Sequence, residues 1–234
     1  MAVRLVIVED DDRVRAALRL ALEDEGYDVV EAPSGEDALA ALAATGPPEV
    51  MIVDLMLGGM DGFSCIRQVR QTSDVPIIVV SARVDTHDVV AALEAGADDY
   101  VTKPFQIKEI TARLRALRRR AAGSGQVGAP HEKVLDSGPD PLVLSAEGGT
   151  VRRGQEQLHL TLTEFRLLCE LAEEPGRVLS RQTLLSRVWD RGFFGDERIV
   201  DVHVRRLRTK IERNPSAPRT VVTVRGLGYR LDVR

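Results

Sequence analysis

Val50-Met51-Ile52-Val53-Asp54 is a run of four apolar residues closed by a carboxylate. It shows no alternation of apolar and polar positions, which is how a strand covered on both faces of a sheet reads. The same form recurs on either side. Val3-Val8 leads into Glu9 and Asp10, Ile77-Val80 into Ser81, and Tyr100-Val101 into Thr102, Lys103 and Pro104. Helical patterns fill the intervals at Val14-Glu25, Glu36-Ala44, Phe63-Gln71, Asp88-Ala95 and Ile107-Arg120. Strand and helix alternating over about 120 residues predict a doubly wound α/β domain with a parallel sheet. Ligands in such sheets bind outside the carboxyl ends of the strands, where strand order reverses. Glu9, Asp10, Asp54, Ser81 and Lys103 all fall at strand ends, so they are expected to converge on one edge.

Carboxylates brought together repel unless some protonate or a cation sits among them. Magnesium suits such a site, because it takes oxygen ligands and keeps waters that a phosphate can replace. A carboxylate beside it can attack a phosphoryl group and form a mixed anhydride, provided that other cations neutralise the equatorial oxygens. Lys103 supplies an ammonium for this and Ser81 a hydroxyl.

A chain of 234 residues suggests two modest domains, and no apolar stretch approaches the ~20 residues of a membrane span. Met1-Arg4 runs straight into the first strand without a secretory pattern, so a cytoplasmic location is expected. The two cysteines, Cys65 and Cys169, form neither a disulfide framework nor a zinc site and read as reduced thiols. The net charge of −4 conceals an asymmetry: residues 1–120 hold 21 acidic and 14 basic side chains, and residues 121–234 hold 15 and 18. The last 39 residues hold 10 basic and 5 acidic groups, a local basic surplus of the kind that accompanies a polyanion partner.

Gly, Ser, Pro and Ala with scattered charge over residues 121–141 predict a flexible linker between a first domain, 1–120, and a second, 142–234. The second opens on strand-like pieces near Leu142-Leu144 and Gln157-Leu160. Helical patterns follow at Thr163-Glu173, Ser180-Val188 and Arg198-Arg213, and a hairpin around Gly226-Leu227-Gly228 closes the chain. Within Arg198-Arg213, Val200, Val204, Leu207 and Ile211 recur at helical spacing as a buried stripe. Arg198, Val202, Arg205, Arg206 and Thr209 then face outward. An arginine-rich helix face beside a hairpin carrying Arg225 suits a helix in the major groove and a wing on the minor groove or backbone of duplex DNA; the same pattern also fits a solvated basic helix with no such partner.

The motifs carry a resemblance over both halves. Val8-Glu9-Asp10-Asp11, Val53-Asp54-Leu55-Met56-Leu57, Met60-Asp61-Gly62, Ser81-Ala82-Arg83, Gly96-Ala97-Asp98-Asp99-Tyr100 and Thr102-Lys103-Pro104-Phe105 resemble the receiver domain of two-component response regulators. Leu160-Thr161-Leu162-Thr163-Glu164-Phe165, Val188-Trp189, Arg198-Ile199-Val200-Asp201-Val202-His203-Val204-Arg205-Arg206-Leu207-Arg208 and Val224-Arg225-Gly226-Leu227-Gly228-Tyr229-Arg230 are similar to the winged helix-turn-helix effector of the OmpR/PhoB class.

The resemblance implies a flavodoxin-like (CheY-like) five-stranded receiver followed by a smaller α+β winged-helix domain. It implies a transcriptional regulator and no enzyme. Asp54 would accept phosphate from a sensor histidine kinase, with Mg2+ held by Glu9, Asp10, Asp54 and the carbonyl of Met56. Ser81 and Lys103 would bind the phosphoryl oxygens, Tyr100 would relay the change, and Lys103-Pro104 would be cis. Phosphorylation would build a homodimer through Val90, Leu93 and Ala112, rimmed by Asp99 with Arg113 and Glu94 with Arg115 across the two-fold. On promoter DNA, Arg206 would read a base edge. Trp189, Arg198, His203, Arg205 and Arg208 would touch phosphates, and Thr223 and Arg225 would place the wing. RNA polymerase is a further implied partner; a membrane is not.

The chain departs from the family at Gly58, where regulators of this kind usually carry proline. That departure leaves room for one alternative, a regulator of the same fold that ignores phosphate, although the intact Glu9, Asp10, Asp54, Ser81 and Lys103 argue against it. A phosphohydrolase would need an acid/base carboxylate where Met56 stands. A flavin binder would not place carboxylates at its phosphate position.

Overall fold

The computed structural model describes residues 3–83, 85–111, 113–114, 132–189 and 197–234. The chain divides into two compact units, Met1–Leu117 and Arg118–Arg234.

In the first unit, strands β1 (Val3–Val8), β2 (Tyr27–Ala32), β3 (Val50–Val53), β4 (Ile77–Ser81) and β5 (Asp99–Thr102) alternate with α1 (Asp12–Asp24), α2 (Gly35–Thr45), α3 (Gly62–Thr72) and α4 (Thr86–Ala95). A further helix, α5, is described at 107–111 and 113–114. The sheet is parallel with order β2-β1-β3-β4-β5. Order reverses between β1 and β3, so the loops after these strands flank a crevice. All four residues of β3 and all five of β4 are buried, as their unbroken apolar runs require. Side-chain caps fix where the helices begin: Asp11, Ser34, Asp61 and Asp85 each accept a backbone N–H from the first turn of α1, α2, α3 and α4.

The opposite edge of the sheet is closed by Arg70. Its Nε donates to Gly96 O at 2.9 Å, one terminal nitrogen reaches Ser73 O and Val75 O at 3.2 and 2.5 Å, and the other reaches Asp98 Oδ2 at 2.8 Å. Asp98 is fully buried and also accepts Ile77 N–H at 3.0 Å. One guanidinium thereby joins α3, the start of β4 and the turn into β5.

In the second unit, β6 (Glu132–Asp136), β7 (Leu142–Ser145), β8 (Thr150–Arg153) and β9 (Glu156–Leu158) form an antiparallel sheet. Then come α6 (Leu162–Glu173), β10 (Val178–Leu179), α7 (Arg181–Val188), α8 (Arg198–Ile211), β11 (Val221–Val224) and β12 (Gly228–Leu231). The last two strands pair as a hairpin with β10 on its other side. This is a winged-helix domain.

Two expectations are corrected. The segment 121–141 is not linker throughout, because β6 lies in it: Glu132 pairs with Ser145, Lys133 with Leu144 and Val134 with Val143, while Leu135 is buried. Leu93 belongs to the receiver core with no exposed surface, since the register of α4 turns it onto the sheet. Asp99 and Arg113, the residues expected to pair across a two-fold, lie 2.8 Å apart within the chain, and Arg113 also meets Glu109 at 2.7 Å. The pair is local because β5 delivers Asp99 beside the first turns of α5. Val90 is half-buried and Glu94 exposed on α4. Ala112 and Arg115 lie outside the described residues.

Candidate functional site

The carboxyl edge of the receiver gathers the residues that the strand ends predict. The Asp54 N–H donates to Val8 O at 2.9 Å, which sets the acid directly beside the β1 loop. Glu9, Asp10 and Asp54 bring one carboxylate oxygen each within 4.8 Å of one another. Glu9 and Asp54 are buried and Asp10 is exposed. Lys103 bridges the buried pair, with Nζ 2.8 Å from Glu9 Oε2 and 2.7 Å from Asp54 Oδ2. Burial pulls the Lys103 ammonium down, but its bonds to Asp54 and Glu9 outweigh this and hold it above the ordinary lysine value. Burial dominates at Glu9 and raises its carboxyl despite the Lys103 bond.

Asp54 Oδ1 also accepts the Met56 N–H at 3.0 Å, so both of its oxygens are oriented. The Lys103-Pro104 bond is cis, and the Lys103 N–H donates to Ser81 O at 2.8 Å. Ser81 is fully buried. Tyr100 is buried too, and its hydroxyl donates to Arg83 O at 2.7 Å. It therefore holds the loop after β4, which follows directly on Ser81. Gly62 begins α3 against the end of β3: a Cβ there would lie 2.1 Å from Asp54 O and 2.6 Å from Leu55 Cα.

In the second unit α8 has a broader buried face than its stripe of four suggests, for Ile199, Val202 and His203 are buried as well. Trp189 is buried against His203, with ring centroids 5.1 Å apart, so both aromatic rings serve packing in this conformation. Arg206 is turned inward. Its guanidinium lies 3.0 Å from the fully buried Glu164, which Lys210 also reaches at 2.7 Å. Arg208 is half-buried, donating to Val221 O and Thr223 Oγ1 at 2.8 Å each. Arg198, Arg205, Thr209, Thr223 and Arg225 remain exposed.

Comparison with known proteins agrees with both halves. A family model described as the response regulator receiver domain matches residues 5–115, and one described as the C terminal of transcriptional regulatory proteins matches residues 154–231. Transcriptional regulatory protein AfsQ1 of Streptomyces coelicolor is 46% identical over 228 residues, covering 97% of either chain. Sensory transduction protein RegX3 of Mycolicibacterium smegmatis is 43% identical, covering 97% of this chain and 98% of its own. The chain belongs to the OmpR/PhoB class of two-component response regulators. Among solved structures, the OmpR/PhoB homologue DrrB of Thermotoga maritima aligns with a TM-score of 0.52 at 30% identity over 99% of this chain and all of its own.

This OmpR/PhoB-class regulator therefore carries a receiver domain and a DNA-binding transcription-regulatory domain. None of its described helices is long and apolar enough to cross a membrane. Its sequence motifs did not single out the cluster that fixes helix to wing. Asp201 Oδ1 accepts Arg181 Nε at 2.7 Å and the Tyr229 hydroxyl at 2.6 Å. Arg181 and Arg208 both lie over the Tyr229 ring, 5.1 and 5.5 Å from its centre, near enough for cation–π attraction. The signal available in the sequence was a lone acid in the first turn of an arginine-rich helix.

Burial first, and then the Asp201 carboxylate, push the Tyr229 hydroxyl up to about 12. A folded value above the unfolded one, about 10, gives stability that is complete below pH about 10 and fades as pH rises through the folded value. The stability difference between wild type and Tyr229→Phe is accordingly expected to shrink between pH about 10 and about 12. Urea unfolding followed by fluorescence of Trp189, the single tryptophan, checks this. A difference that does not vary with pH would contradict it.

Proposed function

We propose that this regulator is switched by phosphorylation of Asp54. The observation that carries the reading is the Lys103 ammonium seated between Asp54 and Glu9. Three carboxylates against one ammonium leave the site two charges negative, and each carboxylate pair at ~4 Å repels by about 4 kcal/mol at an effective dielectric of 20. An all-oxygen donor set of this charge fits a small hard dication, and Mg2+ is the occupant proposed, held by Glu9, Asp10, Asp54 and the Met56 carbonyl. When bound, it neutralises the equatorial oxygens of the transferring phosphoryl group.

An oxygen of Asp54 attacks phosphorus on a phosphohistidine of the sensor kinase. The P–N bond breaks, its electron pair stays on the imidazole, and an acyl phosphate forms. Lys103 then holds a phosphoryl oxygen, and Ser81 donates to another once its loop closes. The Tyr100 hydroxyl, anchored to Arg83 O in the same loop, carries that closure towards α4 and β5. The protein acts as an acceptor and regulator in the cytoplasm rather than as an enzyme.

Charge-assisted hydrogen bonds contribute about 1.5–3 kcal/mol each, and full inversion of a two-state equilibrium needs about 5.5 kcal/mol. Two or three phosphoryl contacts suffice. The active state would dimerise through the α4 face that presents Val90 and Glu94, together with α5, and would recruit RNA polymerase at promoters. For DNA, the exposed Arg198 and Arg205 are assigned to the major groove and adjoining phosphates, and Thr223 and Arg225 to the wing contact. Arg208 and Asp201 set the spacing between the two.

The test is selection of duplexes from a random library by the full chain with acetyl phosphate and magnesium. Tandem half-sites about 10–10.5 base pairs apart are expected, with affinity falling at least ~10-fold, or about 1.4 kcal/mol, for Asp54→Asn. Equal affinity with and without the donor would favour the phosphate-independent alternative.

A further inference from the structure

At position 58 the glycine backbone keeps an N–H, which places a hydrogen-bond donor in the acidic site. The Gly58 N–H points at Asp10 Oδ2, with N and O 3.3 Å apart. Asp10 is the one exposed member of the carboxylate trio. Lys103 reaches Glu9 and Asp54, and the Gly58 amide is the donor described for Asp10. Proline has no N–H and cannot supply it. Nor is glycine required here by backbone shape, because Gly58 is absent from the positive-φ positions, unlike its neighbour Gly59 at φ 79°. A Cβ at position 58 would meet only Asp10 Oδ2, at 4.0 Å, an ordinary contact. What proline would remove, and alanine would keep, is the amide proton.

We infer that the Gly58 backbone N–H is a positioning donor that aims Asp10 at the metal. Groups that orient a ligand set the affinity of a metal site nearly as much as the ligands do. The inference runs against the intuition that proline would improve the loop. It rests on the reading of Glu9, Asp10 and Asp54 as a magnesium site.

The experiment is calorimetric titration of the full chain with magnesium alone, no phosphodonor present, for wild type, Gly58→Ala and Gly58→Pro. Thermal melts are run alongside to establish that all three are folded. Expected is magnesium binding that weakens about 5-fold in Gly58→Pro, somewhat less than a typical outer-shell loss because the bond is long and exposed, and stays within about 2-fold in Gly58→Ala. A second readout is the Gly58 amide proton resonance, expected to move upfield in Asp10→Ala as its acceptor is lost. Equal or tighter binding by Gly58→Pro would overturn the inference and leave the magnesium site standing. Equal weakening by alanine and proline would also overturn it, assigning the effect to loop freedom. No magnesium binding by wild type would overturn the metal reading and this inference together.

Discussion

Arg70→Ala is expected to lower the stability of the receiver by about 3–5 kcal/mol, the cost of removing one partner from a buried ion pair. Asp98 has no solvent-exposed surface and would lose its guanidinium, while Gly96 O, Ser73 O and Val75 O would lose donors at the same time. The cavity left is lined by polar atoms, so water can enter and the upper end of the range is reached only if it does not. The measurement is urea unfolding of the full chain. Far-UV circular dichroism would show the receiver transition at lower urea, while the fluorescence of Trp189 in the other domain stays in place. Arg70→Lys is expected to recover little, since an ammonium cannot span four acceptors as a planar fork does. A receiver midpoint unchanged in Arg70→Ala would mean that the clamp contributes nothing.

Gly62→Ala is expected to act on stability and chemistry together. The added methyl would stand 2.1 Å from Asp54 O and 2.9 Å from Asp54 C, both backbone atoms that cannot swing aside as a side chain does. Either α3 retreats or the strand end moves. Overpacking of this kind costs about 1–3 kcal/mol, and more where backbone must shift. The shift falls on the residue whose carboxylate has to sit against Lys103, so phosphoryl acceptance should drop by at least ~10-fold even where the protein remains folded. Intact mass after a timed exposure to acetyl phosphate reads the rate, and thermal melting reads the stability. Wild-type values for both would show that the close approach is tolerated.

The first domain was legible because its central strands β3 and β4 are buried on both faces. Val50–Val53 and residues 77–80 announce themselves as unbroken apolar runs, and chemistry at a parallel sheet edge follows from topology alone. The second domain was less legible, because its strands are short and only partly covered. In β6 only Val134 and Leu135 are apolar, and Val134 is exposed, so the strand disappears into a stretch that reads as linker.

The helix face of α8 shows a different limit. Arg206 lies where periodicity turns a residue outward, yet Glu164, 42 positions earlier in the numbering, draws it in. Thr161 and Glu164 form a capping box at the start of α6, with both reciprocal bonds present. That the same carboxylate would also hold two cations of α8 depends on tertiary packing that no local pattern encodes. Asp99 and Arg113 make the same point, since their 2.8 Å approach within the chain depends on where β5 meets α5.

The central claim is that Asp54 accepts a phosphoryl group, and intact mass spectrometry of the full chain after incubation with acetyl phosphate and magnesium tests it most directly. The account predicts one added phosphoryl group in wild type and none in Asp54→Asn. No addition to wild type, or equal addition to both proteins, would contradict it.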